Sequence, residues 1–380
     1  MTTTTSPLDT HTDWVGIVRT LGPAFASRAA ALDANDTFAA QNFEELKEKR
    51  VLSAGIPAEL GGGGASHAEL CTMLRELGRH CGATALALSM HLHLVATSVW
   101  QHRQGIPVAP LLERVATEQL MLVTSGASDW LDSSGTAEAV DGGFLLRARK
   151  HFVSGSPAGD LFVTSAVYDD PAEGPTVLHF SVPMKAQGVT VLDNWRTMGM
   201  RASGSNDVAL DGVFVPAEAV VSRRPRGTFP AIFNAVAPIA NSLIMSAYLG
   251  VAEAARTVAL DHAAKRRDDP NVWYLLGEME NAFAAGELAV HAAIDLCAEY
   301  AFEPGPATVN AAMVRRTIAG DAFRAVAEKA MEAVGGAAFF RSGGLERSVR
   351  DLQASRFHPL PPKRQHRFTG RFALGLDPVG

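Results

Sequence analysis

Cysteine is scarce: Cys71, Cys81 and Cys297 are the only three in 380 residues. No two form a CxxC pair, and an odd count builds no disulfide framework. A reduced, cytoplasmic setting is the economical expectation. Tyrosine and tryptophan are also few, four and five, so no aromatic stripe suggests a platform for sugars or nucleobases. Charged residues make up only 19% and the formal net charge is -6, which argues against a nucleic-acid phosphate partner. No apolar run reaches the ~18 residues that span a bilayer. The opening MTTTTSPLDTHTDW lacks a basic stretch followed by an apolar core, so no signal peptide is expected. No His/Cys/Asp/Glu cluster has metal-ligand spacing, and Gly61 to Gly64 carries no Walker or dinucleotide pattern.

The chain is instead rich in core-forming residues, 47% hydrophobic, enough for two or three packed domains. Residues 1–118 read as helical. Phe38 to Arg50 is rich in Ala, Glu, Leu and Lys and stops at Gly55 and Pro57. Helical patterns resume over Ser66 to His80 and Ala83 to Gln101. Residues 119–228 change texture. Leu145 to Lys150, Leu161 to Tyr168, Val177 to Met184 and Val208 to Val215 are short apolar or alternating runs, separated by turn residues such as Gly142-Gly143 and Asp211-Gly212. An antiparallel β-barrel or sandwich is expected there. Residues 229–380 are helical and Ala-rich. Val314, Ile318, Phe323, Val326, Ala330 and Val334 mark one face of a long amphipathic helix that Gly335-Gly336 closes.

This α+β order and several local strings resemble the acyl-CoA dehydrogenase superfamily from about Phe38 to Gly370. Ile56-Pro57-Ala58-Glu59-Leu60-Gly61-Gly62 resembles the family's "P-E-x-x-G-G" loop. Asp141-Gly142-Gly143-Phe144 and Lys150-His151-Phe152-Val153-Ser154-Gly155 resemble the strand that covers the flavin. Met198-Gly199-Met200-Arg201 to Val213-Phe214-Val215-Pro216 resembles the end of the β-domain. Gly335-Gly336, Leu345-Glu346-Arg347 and Arg350-Asp351 resemble the last helices. The resemblance implies a helical N-terminal domain, a middle β-domain and a C-terminal four-helix bundle. It also implies bound flavin, FAD or FMN, and a homotetramer or homodimer.

A dehydrogenase of this family removes a proton alpha to a thioester with a Glu carboxylate. The usual position, eight residues beyond Asp351, holds Pro359, and the alternative, near Ala240 and Asn241, also has no acid. His358 stands where the flavin-dependent monooxygenases of the same fold, such as dibenzothiophene monooxygenase, put a histidine. Those enzymes take reduced flavin from a separate reductase and react it with oxygen, which calls for protection from water and a hydrogen bond rather than a strong base. The stretch Lys265 to Val272 lacks the dehydrogenases' Phe-Gly, and Thr124-Ser125-Gly126-Ala127-Ser128-Asp129 replaces their "T-E-P-x-x-G-S-D".

The resemblance therefore nominates His358, Ser154 and one of His91 and His93 as catalytic residues, and Ser125, Phe152, Ser154, Gly335 and Gly336 for the flavin. His91 and His93 cannot share one helical face, and either is also readable as a packing residue. His358 is readable as a helix cap, and Gly335-Gly336 as an ordinary helix stop. His151, His262 and His366 read as surface residues, and Lys363 to Arg367 as a solvated face with at most a weak phosphate role. Two enzymatic expectations follow. One is a two-component monooxygenase. The other is an acyl-CoA or acyl-carrier-protein dehydrogenase. A flavin-binding subunit without catalysis is the third reading.

Overall fold

The computed structural model describes residues 12–126, 129 and 132–379. Five helices come first: α1 (Trp14–Ala34), α2 (Ala40–Glu48), α3 (His67–His80), α4 (Gly82–Arg103) and α5 (Ala109–Glu118). Their starts follow local chemistry. Asp13 accepts from the Gly16 N–H at 2.8 Å, and Ser66 with Glu69 forms a reciprocal capping box at the head of α3. Cys81 is extended and separates α3 from α4.

Eight strands follow: β1 (Leu122–Thr124), β2 (Thr136–Val140), β3 (Gly143–Val153), β4 (Leu161–Asp170), β5 (Gly174–Pro183), β6 (Val189–Val191), β7 (Asn206–Pro216) and β8 (Val220–Pro225). They form one sheet in the order β6-β7-β3-β2-β4-β5-β8, with β1 on β4. Pairing is antiparallel except where β1 and β2 meet β4 in parallel. Ala166 pairs with Leu178 and Phe162 with Val182 in register, but the alternation expected from the sequence is absent: residues 164–167 of β4 and 176–180 of β5 are buried on both faces.

The C-terminal bundle comprises α6 (Phe233–Ala263), α7 (Pro270–Cys297), α8 (Pro306–Val334), α9 (Leu345–Gln353) and α10 (Pro362–Ala373). One hydrophobic core runs through all three regions. The helix α6 is packed against α3, α4, α7 and α8, and is buried along most of its length. By length and composition α4 and α6 could cross a membrane, contrary to the reading of apolar runs. However, 89% and 94% of their most apolar windows lie inside the molecule.

The phase of α8 differs from expectation. Ile318 is exposed and Val314 only partly buried, while Val309, Met313, Arg316, Gly320 and Phe323 face the core. The first half of the helix is rotated because a buried arginine has partners on that side. Arg350 on α9 ties the ends of the molecule together, holding Asp33 of α1 with both terminal nitrogens at 3.1 and 2.6 Å.

Candidate active site

His358 lies in the segment between α9 and α10. Its Nε2 is 2.7 Å from the Tyr248 hydroxyl on α6. Tyr248 is fully buried, and among the described residues His358 is its sole hydrogen-bond partner. The backbone of the same segment wraps around Arg316. That guanidinium donates to the carbonyls of Ser355 (2.6 Å), His358 (2.8 Å) and Leu360 (3.2 Å). His358 keeps some accessible surface although protein atoms surround it densely. Burial, then the charge of Arg316 and the neighbouring His93, pushes its imidazole down to about 3. It is therefore neutral at pH 7. Burial also holds the Tyr248 phenol well above its usual range, an effect Asp351 reinforces and Arg316 opposes. Arg316 itself is lowered to about 10 by burial and stays charged at neutral pH.

The two histidines of α4 separate clearly. His91 receives the Leu122 N–H on Nδ1 at 2.9 Å, so its hydrogen sits on Nε2, which donates to the Leu52 carbonyl at 2.8 Å. Both nitrogens are spent joining α4 to β1 and to the turn at Leu52. The structure thus corrects the nomination of His91: it is a buried stitch with no nitrogen left for substrate. His93 donates Nδ1–H to the Ser89 carbonyl at 3.3 Å, which leaves Nε2 as an unused acceptor. Burial lowers His93 to about 4. It is among the groups that lower His358, after burial and Arg316.

The end of β3 carries two further nominated residues. Phe152 has a positive φ of 59° and is 58% exposed, with its ring edge-on to Trp195 at 6.0 Å. Trp195 Nε1 donates to the Met200 carbonyl, and the Met200 N–H donates to Asp351 on α9 at 2.5 Å. This chain of contacts fastens the β-domain to the helix that leads to His358. Ser154, Ser205 and Ser203 form a buried hydroxyl string at 2.8 and 2.7 Å. Ser203 is fully buried and among the described residues has only Ser205 as a hydroxyl partner, so its hydrogen is used there. Donation then runs from Ser203 to Ser205 to Ser154, and the spare hydrogen belongs to Ser154, at the more accessible end.

The remaining nominated residues are placed differently. The Ser125 hydroxyl donates to Asp129 at 2.7 Å, and the buried Lys150 ammonium clamps that carboxylate at 2.7 and 2.9 Å. Ala127 and Ser128 lie outside the described residues. Gly335-Gly336 ends α8, and Gly335 has a φ of 74°. It is 19 residues beyond Arg316 on the same helix, hence roughly 28 Å along the axis. The structure therefore does not bring these glycines to the His358 cluster. Their chain neighbours Val334 and Ala337 line a shallow hollow with Val258, His262, Phe340 and Leu345. Tyr248, Arg316, Ser205 and Trp195 were not singled out from sequence. Tyr248 carried one signal, a lone phenol in the Ala-rich stretch before Leu249-Gly250. No group of three or more potential metal ligands occurs among the described residues.

An exposed aromatic face, one directed hydroxyl and neutral imidazoles are groups of the kind a planar isoalloxazine requires. Comparison with known proteins gives the class, a flavin-dependent oxidoreductase. The acyl-CoA dehydrogenase family models match over residues 19–103 (N-terminal domain), 124–213 (middle domain) and 242–360 (C-terminal domain). L-evernosamine nitrososynthase of Micromonospora sp. is 30% identical over 93% of this chain and 88% of its own. Dibenzothiophene monooxygenase of Rhodococcus erythropolis is 25% identical over 66% of this chain and 62% of its own. The structure of KijD3 in complex with FMN and dTDP-3-amino-2,3,6-trideoxy-4-keto-3-methyl-D-glucose superposes with a TM-score of 0.86 at 27% identity, covering 98% of this chain and 95% of that one. The chain belongs to the acyl-CoA dehydrogenase superfamily. It is a flavin-dependent oxidoreductase, similar to the monooxygenases and nitrososynthases built on this fold.

Proposed function

We propose that this protein is a two-component flavin monooxygenase that oxygenates the amine nitrogen of a small substrate, an amino sugar carried on a nucleoside diphosphate. The observation that carries the reaction type is the neutral Tyr248–His358 pair beside Pro359, where the dehydrogenases place a carboxylate. The nearby Asp351 already accepts the Met200 N–H. The nitrososynthase relative and the amino-sugar complex of KijD3 support the substrate class.

The balance is R–NH2 plus O2, two electrons and two protons, giving R–NHOH and water. Reduced flavin, when bound, supplies the two electrons and activates the oxygen. The protein's own groups do the rest. Phe152 and Ser154 hold the ring plane and donate one hydrogen bond. His93 Nε2 accepts an N–H of the substrate and so orients the nitrogen lone pair. His358 donates a hydrogen bond from Nδ1. The Arg316 charge next to two neutral imidazoles disfavours a second cation, so an amine is held unprotonated and nucleophilic. A separate cytoplasmic reductase would supply the reduced flavin. Exposed Trp273, Tyr274, Leu288 and Phe340 on the C-terminal domain support assembly into a dimer or tetramer.

The test supplies chemically reduced FMN, isotopically labelled dioxygen and a thymidine diphosphate 3-amino sugar. One labelled oxygen on the amine nitrogen supports the reading. Label found only in hydrogen peroxide and water, with the amine unchanged, refutes this substrate class.

A further inference from the structure

We propose that Arg316 and Tyr248 are the positioning residues of His358: Arg316 fixes its backbone, and Tyr248 fixes its ring so that Nδ1 carries the hydrogen. The inference rests on His358 acting in the reaction proposed above, but its geometry stands alone.

Arg316 is 2% exposed, and among the described residues no carboxylate forms a salt bridge with it. A buried guanidinium is usually matched by an acid. Here its terminal nitrogens are matched by three carbonyls, those of Ser355, His358 and Leu360. These carbonyls flank His358 on both sides and include its own. Ser355 sits in the short turn Ala354–Arg356, and His358 and Leu360 lie between that turn and α10, outside any helical ladder. A planar fork can bind three divergent acceptors, whereas an ammonium at the end of a flexible stem presents a single point.

The ring is fixed by a separate accounting. The Tyr248 hydroxyl is buried, and among the described residues its one partner is His358 Nε2 at 2.7 Å. If Nε2 carried the hydrogen, it would donate to the phenol, and the phenol's own hydrogen would be stranded in an apolar interior. The phenol therefore donates, Nε2 accepts, and Nδ1 carries the hydrogen. His93 has its unused acceptor on Nε2. The two free ring positions are thus complementary, one donor and one acceptor.

The tautomer is readable without turnover. Protein labelled with 15N in its histidine rings, free of flavin, is examined by NMR near pH 7, and the His358 signals are assigned by their loss in His358→Asn. The expected result is a protonated Nδ1 and an unprotonated Nε2. Tyr248→Phe should give a mixture of the two tautomers with an unchanged fold by circular dichroism. Arg316→Lys keeps the charge and loses the fork. It should cut product formed per oxygen consumed by ~10-fold or more, the scale of a misplaced catalytic group, with the Kd for FMN little changed. A wild-type His358 protonated on Nε2 overturns the proposal, as does full coupling in both Arg316→Lys and Tyr248→Phe. If the tautomers behave as stated and no amine is oxygenated by the wild type, the positioning stands and the reaction assignment fails.

Discussion

His91 and His93 stand two residues apart on α4 and carry opposite tautomers: His91 donates from Nε2 to Leu52, and His93 donates from Nδ1 to Ser89. The first is saturated, and the second has a nitrogen to spare. His91→Ala leaves the Leu52 carbonyl and the Leu122 N–H without partners in a dry interior. It should lower stability by about 2–6 kcal/mol, taking each of the two orphaned groups at the usual cost. His93→Ala loses one long hydrogen bond and should cost ~1–2 kcal/mol at most, while turnover falls much further. Urea melts and product assays on the two variants check this. Equal effects of both substitutions on both readouts would erase the distinction.

The serine string predicts an effect at a distance. Ser205→Ala leaves Ser154 in place but removes the donor that orients it. Loss of one directed hydrogen bond is worth ~1 kcal/mol, so the FMN dissociation constant should rise roughly fivefold in Ser205→Ala and in Ser154→Ala alike. Fluorescence titration of FMN with each variant measures it. A normal affinity in both would reduce the string to packing.

Acid should weaken the fold through its histidines. Burial, the leading cause in each case, lowers His67, His91, His93 and His179 to about 4 and His358 to about 3. The unfolded chain, with histidines near 6.5, binds more protons than the native state between ~4 and ~6.5, so stability is lost as pH falls through that window. Asp351 acts in the opposite sense. Burial raises it to about 6, so the native state binds its proton first between about 4 and 6. Five groups outweigh one, each contributing at most ~1.4 kcal/mol per pH unit. Urea midpoints at pH 7.5, 6 and 5 should fall steeply, and a flat profile would contradict the buried neutral imidazoles.

The domain order and most element positions were legible from periodicity. Ser66 to His80 became α3 with Ser66 as its cap, and Leu161 to Tyr168 lies within β4. Counting from Asp351 led to His358 because the resemblance fixes that interval. What stayed hidden depends on partners distant in the chain. Arg316 is a charged residue on an amphipathic helix, where periodicity predicts solvent. Its burial is caused by carbonyls some 40 residues away at Ser355 and His358. Tyr248 and His358 are 110 residues apart. His91 and His93 differ only in which backbone groups their rings reach, and spacing carries no information about that.

His358→Ala should separate oxygen consumption from product. The variant loses the Nδ1–H donor, and the Tyr248 hydroxyl loses its partner. Product formation should drop by ~10²–10⁴-fold, the range for a positioned proton donor, while reduced flavin still consumes oxygen and hydrogen peroxide accumulates. An oxygen electrode with a peroxide assay gives both numbers. Intact coupling would remove His358 from the chemistry.

The central claim is that this fold now uses oxygen rather than a thioester. The direct measurement compares two reactions of the wild-type protein. With FMN or FAD bound and no oxygen, acyl-CoA thioesters are titrated in and the flavin absorbance is followed. With oxygen present, reduced flavin is supplied and oxygen uptake and oxygenated amine are followed. The account predicts no bleaching by any thioester and, in air, product formation that requires reduced flavin. Anaerobic bleaching by an acyl-CoA, without oxygenated product in air, would contradict it and return the protein to the dehydrogenases.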